Sequence, residues 1–116
     1  MKPTFKTAVK NDWGILDVDP SEVFEKRGSI KIIDVRRPEE FTGELGHIEG
    51  AELVTLDNLD QELPKLPKDA SYVFVCRSGA RSTRAGQYAE SLGFKSVYNM
   101  RGGMLLWNEL GLAIAK

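Results

Sequence analysis

Residues 72–92 constrain this chain more than any other stretch, because they read as strand, tight loop and helix without a gap. Tyr72-Val73-Phe74-Val75 is an unbroken apolar run of β-branched and aromatic residues, the pattern of a parallel strand buried on both faces. Cys76-Arg77-Ser78-Gly79-Ala80-Arg81-Ser82 follows, with no large apolar side chain in it. From Ser82 the spacing predicts a helix, since Ala85, Tyr88, Ala89 and Leu92 fall on one face. Gly93 then supplies a left-handed C′ position, and Phe94 is placed to fold back in a Schellman ending. A buried strand feeding directly into a helix requires layers of helix over a sheet. The junction between them holds the only cysteine of the chain.

That junction has a chemical consequence. The N–H groups of the loop and of the first helical turn lack partners within the helix, and the helix dipole adds partial positive charge there. Arg77, Arg81 and Arg84 add full charges nearby. Each of these neighbours stabilises the anion of a thiol, and together they attract a small anionic substrate. The plain alternative is a small buried cysteine that ends a strand; the three arginines argue for the reactive one.

The 116 residues fit one domain, 1–116, whose first thirteen residues (1–13) read as an irregular, mostly polar arm tied down by Phe5 or Trp13. A net charge of −1 gives no reason to expect nucleic acid. One cysteine and one histidine exclude an internal disulfide, a Cys-x-x-Cys redox pair and the usual zinc sites. Nothing in the sequence has the length and apolarity of a signal peptide or a membrane span, so we expect a cytoplasmic protein in which a working thiol stays reduced.

Four further strands and their helices complete the pattern. Ile15–Val18 reads as a short edge strand. Asp19-Pro20-Ser21-Glu22 is a helix start: Asp19 is expected to cap, Pro20 to sit in the first turn and Glu22 to reach back, with Val18 and Val23 as a hydrophobic staple. Gly28 ends that helix. Ile30–Val35 is a second strand, with Asp34 and Arg36 at its C-terminal end, where α/β sheets bind ligands. Pro38–Phe41 suits one or two helical turns, Ala51–Leu56 a third strand, and Leu59–Leu63 a short helix stopped by Pro64. Ser96–Met100 is the last strand; Arg101-Gly102-Gly103 reads as a flexible turn, and Met104–Leu110 as a final helix packed through Trp107 and Leu110. Strands alternating with helices predict an α/β fold, a five-stranded, mainly parallel sheet with helices on both faces.

Three stretches of this chain together resemble the rhodanese family of sulfurtransferases. They are Cys76–Ser82; Asp34-Val35-Arg36-Arg37-Pro38-Glu39-Glu40-Phe41 followed by Gly46-His47-Ile48-Glu49-Gly50-Ala51; and Gly102-Gly103-Met104-Leu105-Leu106-Trp107 followed by Gly111-Leu112. The resemblance covers about residues 14 to 114 and implies a strand order of 1-5-4-2-3. It also implies roles. Cys76 is the nucleophile and carries sulfur as a persulfide. Arg77, Ser78, Gly79, Ala80, Arg81 and Ser82 bind the substrate and hold the outer sulfur on their N–H groups, with Arg77 and Arg81 orienting the donor. Asp34 and Arg36 brace the neighbouring loops. His47, which tempts as a general base, belongs to a turn that shapes a loop. The implied partners are a small anionic sulfur donor such as thiosulfate or a persulfide and a thiol or cyanide acceptor, with a protein acceptor as a further candidate; no metal or organic cofactor is implied. Glu40 departs from the pattern, since two-domain thiosulfate enzymes of the family carry a basic residue there, and an acid argues against efficient thiosulfate turnover. Glu49 stands where the family has proline. Two other readings stay open: a rhodanese-fold binding or regulatory module without activity, and a Cys-dependent phosphatase or arsenate reductase. The second group has five residues between cysteine and arginine, whereas four separate Cys76 from Arg81.

Overall fold

A computed structural model describes residues 5–116; the first four residues of the expected arm lie outside the described residues. The chain runs β1 (Val9–Lys10), β2 (Leu16–Val18), α1 (Pro20–Lys26), β3 (Lys31–Asp34), α2 (Pro38–Phe41), β4 (Glu52–Leu53), α3 (Leu59–Glu62), β5 (Ser71–Val75), α4 (Ala80–Ser91), β6 (Ser96–Met100) and α5 (Gly103–Glu109). The six strands lie in the order β1-β2-β6-β5-β3-β4. Every pairing is parallel except that of β1 with β2. Over the five expected strands this is the order 1-5-4-2-3, with one antiparallel strand added at the edge.

The added strand changes the reading of residues 1–13. Val9 and Lys10 pair with Asp17 and Leu16, so this part of the arm is the first leg of a hairpin. Phe5 is buried, with its ring 4.6 Å from that of Tyr98. Trp13 ties nothing down: it is 64% exposed.

The central strands are apolar on both faces because both faces are covered. Tyr72 and Phe74 of β5 point into a core with Ile33, Leu59, Leu63, Ala85 and Ala89, beneath α3 and α4. Val73 and Val75 point the other way, to Val23, Met104 and Trp107 of α1 and α5. Leu110 does not share that packing; it is 52% exposed, just past the end of α5.

Several boundaries differ from expectation for physical reasons. The start of α1 uses Pro20 in its first turn but no side-chain cap. Asp19 instead pairs with Arg101 Nε at 2.8 Å, and the Glu22 carboxylate accepts the N–H groups of Lys6 and Thr7 at 2.6 and 2.9 Å. Glu22 thus fastens the arm to α1. The expected Ala51–Leu56 strand shortens to Glu52–Leu53, although the Val54 and Leu56 N–H groups still bond to Asp34 and Val35. Helix α4 begins at Ala80, two residues early, because Gly79 takes φ +112° and turns the chain into the helix; a side chain there would strain the turn. Its end is the expected Schellman motif, with Phe94 N–H to Ala89 O at 3.1 Å and Gly93 N–H to Glu90 O at 3.0 Å.

Candidate active site at the end of strand β5

Parallel pairing puts Asp34 of β3 opposite Val75 of β5. The residues after Asp34 and after Val75 therefore leave the sheet side by side, at the carboxyl edge where open α/β sheets bind ligands. Cys76 is the first residue past that edge and is 1% exposed.

An N–H donor and a hydroxyl lie against its sulfur. The Gly79 N–H lies 3.0 Å from Cys76 Sγ and the Ser82 hydroxyl 3.2 Å from it. The N–H groups of Arg77, Ser78, Ala80, Arg81 and Ser82 have no hydrogen-bond partner among the described residues. Because α4 begins at Ala80, three of these five form its open first turn, where the dipole favours negative charge. The loop and turn thus hold a sulfur atom at the mouth of a cluster of unused donors.

Behind the sulfur runs a polar chain that no motif announces. The single Ser82 hydroxyl proton goes to Asn99 Oδ1, and Asn99 Nδ2 donates to Asp17 Oδ1 at 2.9 Å. A carboxylate only accepts, so Asp17 selects the orientation of the Asn99 amide and leaves its oxygen facing Ser82. Asn99 is 3% exposed, a polar side chain on the inner strand β6. A long amide side chain on a strand placed inside the sheet is the one sequence signal for it.

The loop is fastened from the far side as well. The N–H groups of Met104 and Leu105, in the first turn of α5, donate to Cys76 O and Arg77 O at 2.9 and 3.0 Å. Gly103 permits this approach, since a Cβ there would come within 2.5 Å of the Arg77 carbonyl. The Arg101–Gly103 turn, expected to be flexible, is packed hard against the cysteine loop.

Asp34 and Arg36 form a buried pair. The guanidinium meets the carboxylate through Nε and Nη2 at 2.7–3.1 Å, and Nη2 also donates to Gly46 O at 2.7 Å. Both side chains are 1% exposed. The pair locks the end of β3 to the turn that carries His47. His47 itself stacks on Phe41 at 3.7 Å, with Nδ1 2.8 Å from Phe41 O and its backbone bridged to Ala115. It is a shaping residue of that turn.

Arg81 does not stand free beside the sulfur. Its guanidinium makes a two-point contact with Glu40, at 2.7 and 2.9 Å. The Arg81 hydrogen bonds, outweighing partial burial and helped by the Arg37 N–H, hold the Glu40 carboxyl down at about 2. Arg77 is exposed and in no ion pair among the described residues.

The profile of the rhodanese-like domain matches residues 19–110. The chain is 38% identical over 86 residues to YtwF of Bacillus subtilis, covering 74% of this chain and 81% of that protein. It is 36% identical over 81 residues to the thiosulfate sulfurtransferase GlpE of Shewanella oneidensis, covering 70% and 78%. The human single-domain sulfurtransferase TSTD1 superposes with a TM-score of 0.72 at 28% identity, covering 80% of this chain and 95% of that one. Some relatives are longer: the match to the probable adenylyltransferase/sulfurtransferase MoeZ of Mycobacterium tuberculosis spans 20% of that protein.

Proposed function

Since this chain belongs to the rhodanese-like domain family, we propose that it is a sulfurtransferase which carries sulfane sulfur as a persulfide on Cys76. The observation that carries this reading is the sulfur atom at the strand end, met by the Gly79 N–H and the Ser82 hydroxyl and followed by the open turn of α4. The likeness to sulfurtransferases such as GlpE supports it.

Two displacements account for the cycle. The Cys76 thiolate attacks the outer sulfur of a donor; with thiosulfate the donor's S–S bond breaks and sulfite leaves with the electron pair. The persulfide so formed, Cys76–S–S⁻, places its negative outer sulfur among the N–H groups of Arg77, Ser78, Ala80, Arg81 and Ser82. An acceptor nucleophile, cyanide or a thiolate, then attacks that outer sulfur, and Cys76 leaves as the thiolate. Each half exchanges one nucleophile for another, which gives ping-pong kinetics. Loop donors prearranged around the outer sulfur stabilise charge there without reorganising. Asp34 and Arg36 hold the frame of the site, and Arg77 draws anionic donors. Because Glu40 offsets the charge of Arg81, a persulfide of lower charge suits the site better than thiosulfate. We place the protein in the cytoplasm, where thiols of this kind remain reduced.

Thiocyanate release from a persulfide donor and from thiosulfate tests the proposal. Wild type should release it with both donors, faster with the persulfide, and Cys76→Ser should release none above background. Equal rates in wild type and Cys76→Ser would overturn the covalent mechanism.

A further inference from the structure

The N-terminal hairpin lies before residue 19, outside the stretch that the family profile matches, yet it builds one wall of a cleft whose other wall is the cysteine loop. The cleft encloses about 400 Å³, and its lining includes Trp13, Asp17, Ser78, Gly79, Arg84 and Arg101. Gly79 links it to the chemistry, since the same residue donates its N–H to Cys76 Sγ at 3.0 Å. Trp13 is the unusual member: a large ring, 64% exposed, on a turn that is fixed rather than loose. Asn11 Oδ1 accepts the N–H groups of Trp13 and Ile15 at 2.9 and 3.1 Å. The Asn11 N–H donates to Ile15 O at 2.8 Å, and Gln87 Nε2 reaches Trp13 O at 3.2 Å from α4. Hydrogen bonds from Asn11 and Gln87 thus hold the backbone of the turn, while the indole itself is largely exposed.

The charges of the lining choose the ligand. Arg84 is exposed and in no ion pair among the described residues, and Arg101 is 56% exposed while its Nε holds Asp19. The one lining carboxylate, Asp17, has its Oδ1 covered by the amides of Asn11 and Asn99, each at 2.9 Å. An aromatic surface beside an unpaired guanidinium suits a molecule that has both a planar ring and a negative charge.

We propose that this cleft binds the sulfur acceptor, a thiol that bears a planar ring and an anionic group, with the ring against Trp13, the anion on Arg84 and the thiol sulfur directed past Gly79 to the persulfide. This rests on the sulfur-transfer reading and names its second substrate. In the step, the acceptor thiolate RS⁻ attacks the outer sulfur of Cys76–S–S⁻. The new RS–S bond forms as the Cys76 Sγ–S bond breaks, the electron pair goes to Cys76 Sγ, and the outer sulfur keeps its negative charge, giving RS–S⁻ and the Cys76 thiolate.

The test uses three acceptors with the persulfide-loaded protein: 4-mercaptobenzoate, which has ring and charge; benzenethiol, which has the ring alone; and cyanide, which has neither. We expect Trp13→Ala to raise the KM for 4-mercaptobenzoate roughly tenfold relative to cyanide, and Trp13→Phe to restore most of it. Arg84→Gln should abolish the preference for 4-mercaptobenzoate over benzenethiol and leave the ring effect in place. Emission quenching reads binding without turnover, because Trp107 is fully buried and Trp13 is not. Saturable quenching by 4-mercaptobenzoate that disappears in Trp13→Phe supports the cleft even if thiocyanate release fails, an outcome that would instead overturn the Cys76 mechanism. Normal cyanide turnover with no quenching, or with an unshifted KM in Trp13→Ala, would overturn the cleft.

Discussion

Two arginine–carboxylate pairs flank the cysteine loop, alike in chemistry and different in surroundings. In each, a guanidinium meets a carboxylate through two nitrogens at close to 2.7–3.1 Å. Asp34–Arg36 joins residues two apart and is 1% exposed at both ends. Glu40–Arg81 joins residues 41 apart and is exposed by a quarter to a third. Burial decides what each can do. The inner pair has left water, so its members need each other and the Gly46 carbonyl; removing one strands a charge in the interior. The outer pair keeps much of its hydration and adds little stability, but it sets the charge that an approaching donor meets. One pair is framework and the other adjusts the site's field.

The largest effect should come from breaking the inner pair. Arg36→Ala is expected to lower the unfolding free energy by about 3–5 kcal/mol, measured by urea denaturation at neutral pH. A loss as small as that of an exposed pair would erase the distinction between the two. A smaller effect, of another kind, should follow from Glu40→Gln. Freed of its counter-charge, Arg81 should attract a dianionic donor better, and the KM for thiosulfate should fall by about two- to fivefold. An unchanged KM would mean that Arg81 does not face the donor's path.

The smallest effect is on the stability of that same variant. Glu40→Gln should shift the unfolding free energy by no more than about 1 kcal/mol at neutral pH. The sign of its pH dependence follows from the Glu40 carboxyl, which sits at about 2 in the folded protein against an ordinary 4.5. A depressed acid stabilises the fold above its unfolded value and loses that contribution as pH falls towards the folded one. The difference in melting temperature between wild type and Glu40→Gln should therefore be full above pH 4.5 and close as pH falls from about 4.5 towards 2. A difference that stayed constant across that window would show that the pair does not titrate as a unit.

What could be read in the sequence tracks the range of the contacts involved. Tyr72–Val75, Gly93 and Phe94 declare themselves through neighbours a few residues away, and strand, helix and Schellman ending all appear in the structure. Cys76 was visible for the same reason: its setting is made by the loop that follows it. The strand order came from the resemblance, because periodicity says which residues are buried and not which strands adjoin. The start of α4 was missed by two residues, since Ala80 and Arg81 begin the helix with no large apolar side chain to mark a face. The Val9–Lys10 strand was missed because both its residues are exposed and carry no alternation. Asp17, Asn99 and Gly103 reach the site through partners far along the chain, 82 residues apart for Asp17 and Asn99. Glu40 was noticed as a departure from the family pattern, but its partner was not, as no local rule connects it to a residue 41 positions on.

The account stands on Cys76 as the sulfur carrier, and the mass of the intact protein tests that most directly. Wild type treated with a persulfide donor and freed of it should gain the mass of one sulfur atom, and cyanide should return it to the starting mass. Cys76→Ser, treated in the same way, should keep its mass throughout. A wild type that gains nothing, or a Cys76→Ser protein that gains and releases sulfur as wild type does, would contradict the account.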